Sequence, residues 1–213
     1  MPFNPDMFFI VDDSLVNATY GKPRPVSVYD LAVTGWTAHD ERNVPVPAQV
    51  VSQRGHYGMA GSQHHLEDLD VFWCGYAQDS VQFSILSGTN GPRIMLTPTM
   101  DGCSFGIGHS APDGTVIVCH ANAASQQASL TDLGTMPSAQ KQAIKSVFRN
   151  SGVRTKYILG PDDYRWGKDA GVWRTVISAS TYGVRDAGHW RFYRHSYRKD
   201  MGDYVYMGRK RIK

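Results

Sequence analysis

Residues 96–122 read LTPTMDGCSFGIGHSAPDGTVIVCHAN. Two runs of strand-forming residues flank HSAPDG, whose Pro, Asp and Gly are turn formers, and the pattern predicts a β-hairpin. A turn centred between Ala111 and Pro112 sets Cys103 directly opposite His120. Directly opposed residues share a face, with Cβ atoms roughly 4.5–5.5 Å apart, so the thiol and imidazole come within hydrogen-bonding range. A slip of one residue sends them to opposite faces. Cys119, the neighbour of His120, points away from that face and reads as core.

Working outward, short apolar or alternating runs at 71–76, 81–86, 93–97, 156–159, 173–178, 182–184, 190–193 and 204–207 read as further strands. One helix is marked between Pro137 and Gly152. Ser138 is placed as its N-cap, Ala139, Ala143, Ile144, Val147 and Phe148 form one face, and Gly152 closes it. Residues 1–68 hold apolar pieces at 8–11 and 26–33 among turn-rich stretches and are expected to be irregular. Many strands and few helices, out of strict alternation, predict an α+β fold. Its core is a mostly antiparallel β-sheet or sandwich with a few flanking helices, and 213 residues suit a single domain.

A hydrophobic fraction of 41% with 19% charged residues excludes a disordered chain. The net charge of +3 is unevenly spread: nine Lys and Arg against three Asp follow from Arg185 onward, which leaves about −3 on the rest. Three cysteines, Cys74, Cys103 and Cys119, make no disulfide framework and have no zinc spacing, so a reducing compartment is expected and no metal. The N-terminus lacks the basic region and cleavage site of a Sec signal, and no run is long enough to span a membrane.

The Cys103/His120 pair has a chemical use. An imidazolium beside a thiol lowers its pKa toward the nucleophilic thiolate, which predicts fast alkylation at about pH 6. The imidazole can then protonate a leaving amine. Gly102 lets a substrate approach closely, and backbone N–H groups around Cys103, with Ser104 in support, are placed to hold an oxyanion. Packing is the competing reading, since cysteine is among the residues most often buried.

Met100-Asp101-Gly102-Cys103-Ser104, followed by a His at the end of the next strand, resembles the catalytic hairpin of cysteine protein glutamine deamidases. These include the cytotoxic necrotizing factor and Burkholderia lethal factor toxins and the chemotaxis-receptor deamidases. The toxins carry Leu-x-Gly-Cys where this chain has Met100. The chemotaxis enzymes have a Thr six residues before the Cys and a His seventeen after it, the offsets of Thr97, Cys103 and His120. The resemblance covers about 30 of 213 residues. It implies Cys103 as nucleophile, His120 as acid and base, and Thr97 as a group that orients the imidazole or polarises the site.

The expectation is thus one catalytic domain over 1–213, with an irregular part (1–68) and a strand-rich core (69–213). It would hydrolyse a side-chain carboxamide through a Cys–His thioester, without cofactor. A monomer acting on a protein that carries the target glutamine is expected, with no nucleic-acid partner. By resemblance to the toxins it would be a bacterial toxin or effector, secreted or translocated without a cleaved Sec signal and active in a reducing cytosol. Two rivals stand beside it: a cysteine protease or transglutaminase, and a non-enzymatic module whose basic C-terminal segment binds acidic partners or nucleic acid. Asn122 and Asp101 are further candidates for supporting the site, or turn residues. Asp162 and Asp163 read as turn or cap residues, His64 and His65 as a weak metal pair, and HWRFYRHSYRK, which mixes aromatics with bases, as a nucleic-acid-type surface or equally a charge-guarded edge strand.

Overall fold

Valine, isoleucine and aromatic residues favour extended backbone, and among the described residues they carry twelve strands beside a single α-helix. The computed structural model describes residues 9–12, 28–33, 46–54, 67–76, 78–109, 114–123, 136–165, 177–200 and 203–212. The strands are β1 (Phe9–Asp12), β2 (Val28–Val33), β3 (Val46–Arg54), β4 (Glu67–Trp73), β5 (Val81–Leu86), β6 (Ile94–Leu96), β7 (Ser104–His109) and β8 (Val116–Ala121). After helix α1 (Met136–Asn150) come β9 (Arg154–Leu159), β10 (Ile177–Asp186), β11 (His189–Asp200) and β12 (Asp203–Ile212).

They form two sheets. The larger has the order β1-β2-β3-β4-β6-β10-β11-β12 and the smaller β5-β8-β7-β9. Among the described residues only β1–β2 and β4–β6 pair in parallel. The fold is therefore α+β with mostly antiparallel sheets, as expected. Residues 1–68 depart from expectation: they hold β1 to β3 and the start of β4, within the larger sheet. Their apolar pieces are short and interrupted, so local patterning understates the pairing that long-range contacts complete. The segments expected at 173–178 and 182–184 also merge. Residues 177–186 form the single strand β10, while 173–176 lie outside the described residues. HWRFYRHSYRK lies in β11, which is flanked by β10 and β12 and is no edge; the edge is β12.

Period-two alternation sorts the smaller sheet into two faces. Cys103, Phe105, Ile107, Val116, Val118 and Leu86 pack with Phe72, Met95, Ala179, Phe192 and Ile212 of the larger sheet, which fills the space between the sheets. Ile117, Cys119 and Ala121 face the other way, onto Ile144 and Phe148 of α1. The helix starts at Met136, so Ser138 is inside its first turn rather than its N-cap. Its end matches expectation. Gly152 has φ +65°, and the N–H groups of Gly152 and Val153 donate to the carbonyls of Arg149 and Phe148 at 3.1 and 2.8 Å.

Two glycines let α1 sit this close. A Cβ on Gly106 would fall inside the Ile144 side chain, and one on Gly108 would lie 2.7 Å from Val153 and 2.9 Å from Phe148. Gly106→Ala is therefore expected to destabilise the protein by about 1–3 kcal/mol through overpacking. Ile144→Ala removes the methyl that a Cβ on Gly106 would meet, so the double variant should lose less thermal midpoint than the sum of the two single changes; if the two losses merely add, the close approach is not the cause.

Candidate functional site

The chain reaches Cys103 by crossing between the sheets. After β6, the Thr97 N–H donates to the Thr181 carbonyl (3.2 Å), and Met100 exchanges backbone bonds with Ala179 at 2.7 and 2.9 Å. Asp101 and Gly102 then turn the chain into β7. Cys103 is thus the corner residue, with its sulfur directed into the inter-sheet core and only 3% of its surface exposed.

The hairpin register differs from the expected one. Phe105, not Cys103, lies opposite His120, and Ser104 lies opposite Ala121. The pairing axis is displaced by one residue toward the C-terminus, which moves the partner of each β7 residue by two. A shift of two preserves the face. Val116 and Val118 of β8 face the larger sheet, so His120 belongs to the same face as Phe105 and Cys103. The pair is diagonal rather than directly opposed, a relation of roughly 7–8 Å. Extending the ladder by one residue sets Asn122 opposite Cys103, and Asn122 Nδ2 donates to the Cys103 sulfur at 3.3 Å. Asn122 is itself held at both ends: its Oδ1 accepts from the Asp79 N–H (3.4 Å) and its own N–H donates to the Ser80 carbonyl (2.9 Å).

His120 is 1% exposed, and neither ring nitrogen has a hydrogen-bond partner among the described residues. The half-open ring of Tyr76, 37% exposed, lies above it with centroids 5.9 Å apart. Burial pulls the imidazole down to about 4, with the backbone of Cys74 acting in the other direction. Burial likewise pushes the Cys103 thiol up to about 11; the Asn122 amide opposes that shift and the Asp101 carboxylate adds to it. At neutral pH both groups are uncharged. The expectation of a thiol lowered by imidazolium is therefore corrected: the larger sheet covers the pair and withholds the water that either charge requires.

The backbone around Cys103 is clamped from two directions. Tyr164 donates its hydroxyl to the Cys103 carbonyl at 2.8 Å. Gln140 of α1 donates Nε2 to the Gly102 carbonyl (3.0 Å) and accepts the Ser104 hydroxyl on Oε1 (2.6 Å). The Ser104 side chain is thereby committed to the helix. Close approach does not require glycine at 102, since a Cβ there would make only ordinary contact, 3.6 Å from both Arg165 Nη1 and Met136. Thr97 is also corrected. Its hydroxyl donates to the carbonyls of Thr181 and Pro98, both at 3.1 Å, and makes no bond to His120. Nothing in the local sequence marks Tyr164, Gln140, Arg165 or Tyr76, because each arrives from a distant segment.

Cys74 and Cys119 are fully buried thiols in no disulfide, Cys119 on the helix side. Asp163 has the expected cap duty, accepting the Gly160 N–H at 2.7 Å. Among the described residues no three His, Cys, Asp or Glu side chains converge as a metal site, and no helix is long and apolar enough to cross a membrane. His64 and His65 lie outside the described residues. No protein-family description matches the chain, and no curated protein matches it significantly. The likeness to the deamidases thus stands on the hairpin residues themselves.

The depressed imidazole has a measurable consequence. At pH above the ordinary 6.5 His120 is neutral whether the chain is folded or not. As pH falls from 6.5 toward 4 the unfolded chain takes up a proton that the folded site refuses, so stability declines across that window. The full extent is about 3 kcal/mol. Urea titrations at stepped pH should show this slope in the wild type and a flatter one in His120→Phe. Equal slopes would remove His120 from the account. Tyr76→Ala should raise the alkylation rate of Cys103 severalfold by wetting the site.

Proposed function

We propose that the chain is a cysteine-dependent amidohydrolase, acting on the side-chain carboxamide of glutamine in a target protein. The observation that carries this reading is the orphaned imidazole. A buried polar group without a partner costs about 1–3 kcal/mol, and His120 has two such atoms on the same face and at the same end of one hairpin as a free thiol. Folding alone gains nothing from that arrangement, whereas a reaction that moves a proton between thiol and substrate needs an imidazole with both nitrogens available.

The diagonal spacing suits an amide. A carboxamide entering between the two side chains puts its carbon at the Cys103 sulfur and its nitrogen toward His120. His120 takes the thiol proton as sulfur attacks the carbonyl carbon, and the developing oxyanion is held by donors at the corner, with the Asn122 amide the nearest side-chain donor. The imidazolium returns that proton to nitrogen as the C–N bond breaks, releasing ammonia and leaving a thioester. Water attacks the thioester with His120 as base, which yields glutamate and restores the thiol. The neutral resting pair fits this order: the charges form only when substrate is present to receive them. By the same resemblance to the toxins, the setting we propose is a secreted or translocated effector working in a reducing cytosol.

The test is ammonia release from target-cell protein extract, with intact mass, peptide cleavage and amine incorporation followed in parallel. The expected result is a gain of about 1 Da without cleavage or cross-linking, since amide is exchanged for acid. Cys103→Ser should lower turnover by about a thousandfold or more, and His120→Ala by about a hundredfold or more, with folding retained. Thr97→Ala should cost stability and leave turnover near normal, because its hydroxyl serves backbone carbonyls. Near-normal turnover in folded Cys103→Ser would end the proposal. Cleavage or amine incorporation would reassign it to a protease or transglutaminase.

A further inference from the structure

We infer that the cleft between the edge strands β9 and β12 is a binding site for a phosphate-type oxyanion. Its floor is Leu159 and Ile212, its walls carry Tyr157, Asp163, Arg194, Lys210 and Arg211, and it encloses about 260 Å3. The inference does not rest on the deamidase reading.

The cations are arranged against the interest of folding. Arg194 and Lys210 are direct cross-strand partners of β11 and β12. They lie two pairs along the ladder from Phe192 and Ile212 and so on the same face, past the edge of the core, with Arg194 half-buried and Lys210 exposed. Like charges directly opposed destabilise a sheet. Among the described residues no carboxylate forms an ion pair with Arg194, Lys210 or Arg211 to offset this. Asp163, the one acid in the cleft, already accepts the Gly160 N–H.

A second observation is independent of charge counting. The Arg194 guanidinium is fixed, with Nη1 donating to the Asp163 carbonyl at 2.6 Å. Its Nε is buried with no partner among the described residues. Burial also draws this arginine below its usual pKa range. A preorientated guanidinium with a donor unspent and a lysine opposite matches an acceptor-only group with several oxygens and more than one negative charge. A phosphate has that chemistry, as an inorganic ion or as a phosphoryl group on a protein.

The experiment uses the full chain. Inorganic phosphate is titrated at constant ionic strength held with sodium chloride, and thermal midpoint and phosphorus NMR shift are followed. The expected result is a saturable rise in midpoint with phosphate and none with chloride. Lys210→Gln should weaken binding at least about tenfold, Arg194→Gln should abolish it, and Arg149→Gln on exposed α1 should change nothing. In phosphate-free buffer Lys210→Gln should melt at or above the wild-type temperature, because a repulsion has been removed. A phosphoserine peptide binding at least about tenfold tighter than inorganic phosphate assigns the group to a protein; equal affinity assigns it to the free ion. Full phosphate affinity in Lys210→Gln, or a midpoint that follows ionic strength alone, overturns the site. So does a lower melting temperature of Lys210→Gln without phosphate, since the lysine would then serve structure.

Discussion

The cross-strand pairing of Phe105 with His120 governs the molecule around the candidate site. It sends Phe105, Ile107, Val116 and Val118 into the space between the sheets and turns Gly106 and Gly108 toward α1. It also decides where the chemistry-bearing groups go, placing Cys103 and His120 on the inter-sheet face and Cys119 on the helix side. A slip of a single residue would exchange these faces. The glycines would then face the core and leave it underfilled, while Phe105 and Ile107 would collide with the helix. Packing on both sides of the small sheet therefore enforces the register that the candidate site requires.

That placement explains the electrostatics. A group between two sheets is cut off from water, so burial opposes every charge there, whatever its chemistry. The Cys103 thiol rises to about 11 and the imidazole falls to about 4, shifts of opposite sign with one cause. Only Asn122 pulls the thiol back toward ionisation, through the bond to sulfur. The ring of Tyr76, 37% exposed, lies against the imidazole and so joins this enclosure to solvent.

The hairpin, the α+β class and the end of α1 were legible in the sequence because each depends on neighbours. HSAPDG is a turn signal between two apolar runs, which pair antiparallel as β7 and β8, and Gly152 takes the left-handed position at the helix end. The register was not legible to within a residue. Ala111, Pro112 and Asp113 allow more than one turn centre, and the choice between them falls to Ile144 and Phe148, which demand the two glycines. The orienting role given to Thr97 failed for a similar reason. Its offset from Cys103 fits the resemblance, but the pairing of 97–100 with β10 brings the Thr181 carbonyl within its reach. Burial of the thiol was also out of sight, because the sheet that covers it is completed by β10 to β12, far along the chain. The start of α1 and the strands before residue 68 were missed where local signals are weak and tertiary pairing decides.

One short segment joins the features that sequence spacing left separate. The turn Pro161–Asp163 begins where β9 ends, and Asp163 closes it on the Gly160 N–H. Its carbonyl oxygen then holds Arg194 at the mouth of the cationic cleft. The next residue, Tyr164, is buried and holds the Cys103 carbonyl. Arg165 follows, anchored by its N–H on Pro161 and by its carbonyl on Ile177, with its guanidinium beside Gly102. Two consecutive residues thus hold the cleft and the corner cysteine, and the third borders the residue before it. Since the turn is fixed by its own cap and by β10, its neighbours cannot move independently of one another. The geometry at Cys103 is set as much by this turn as by the hairpin that carries the thiol.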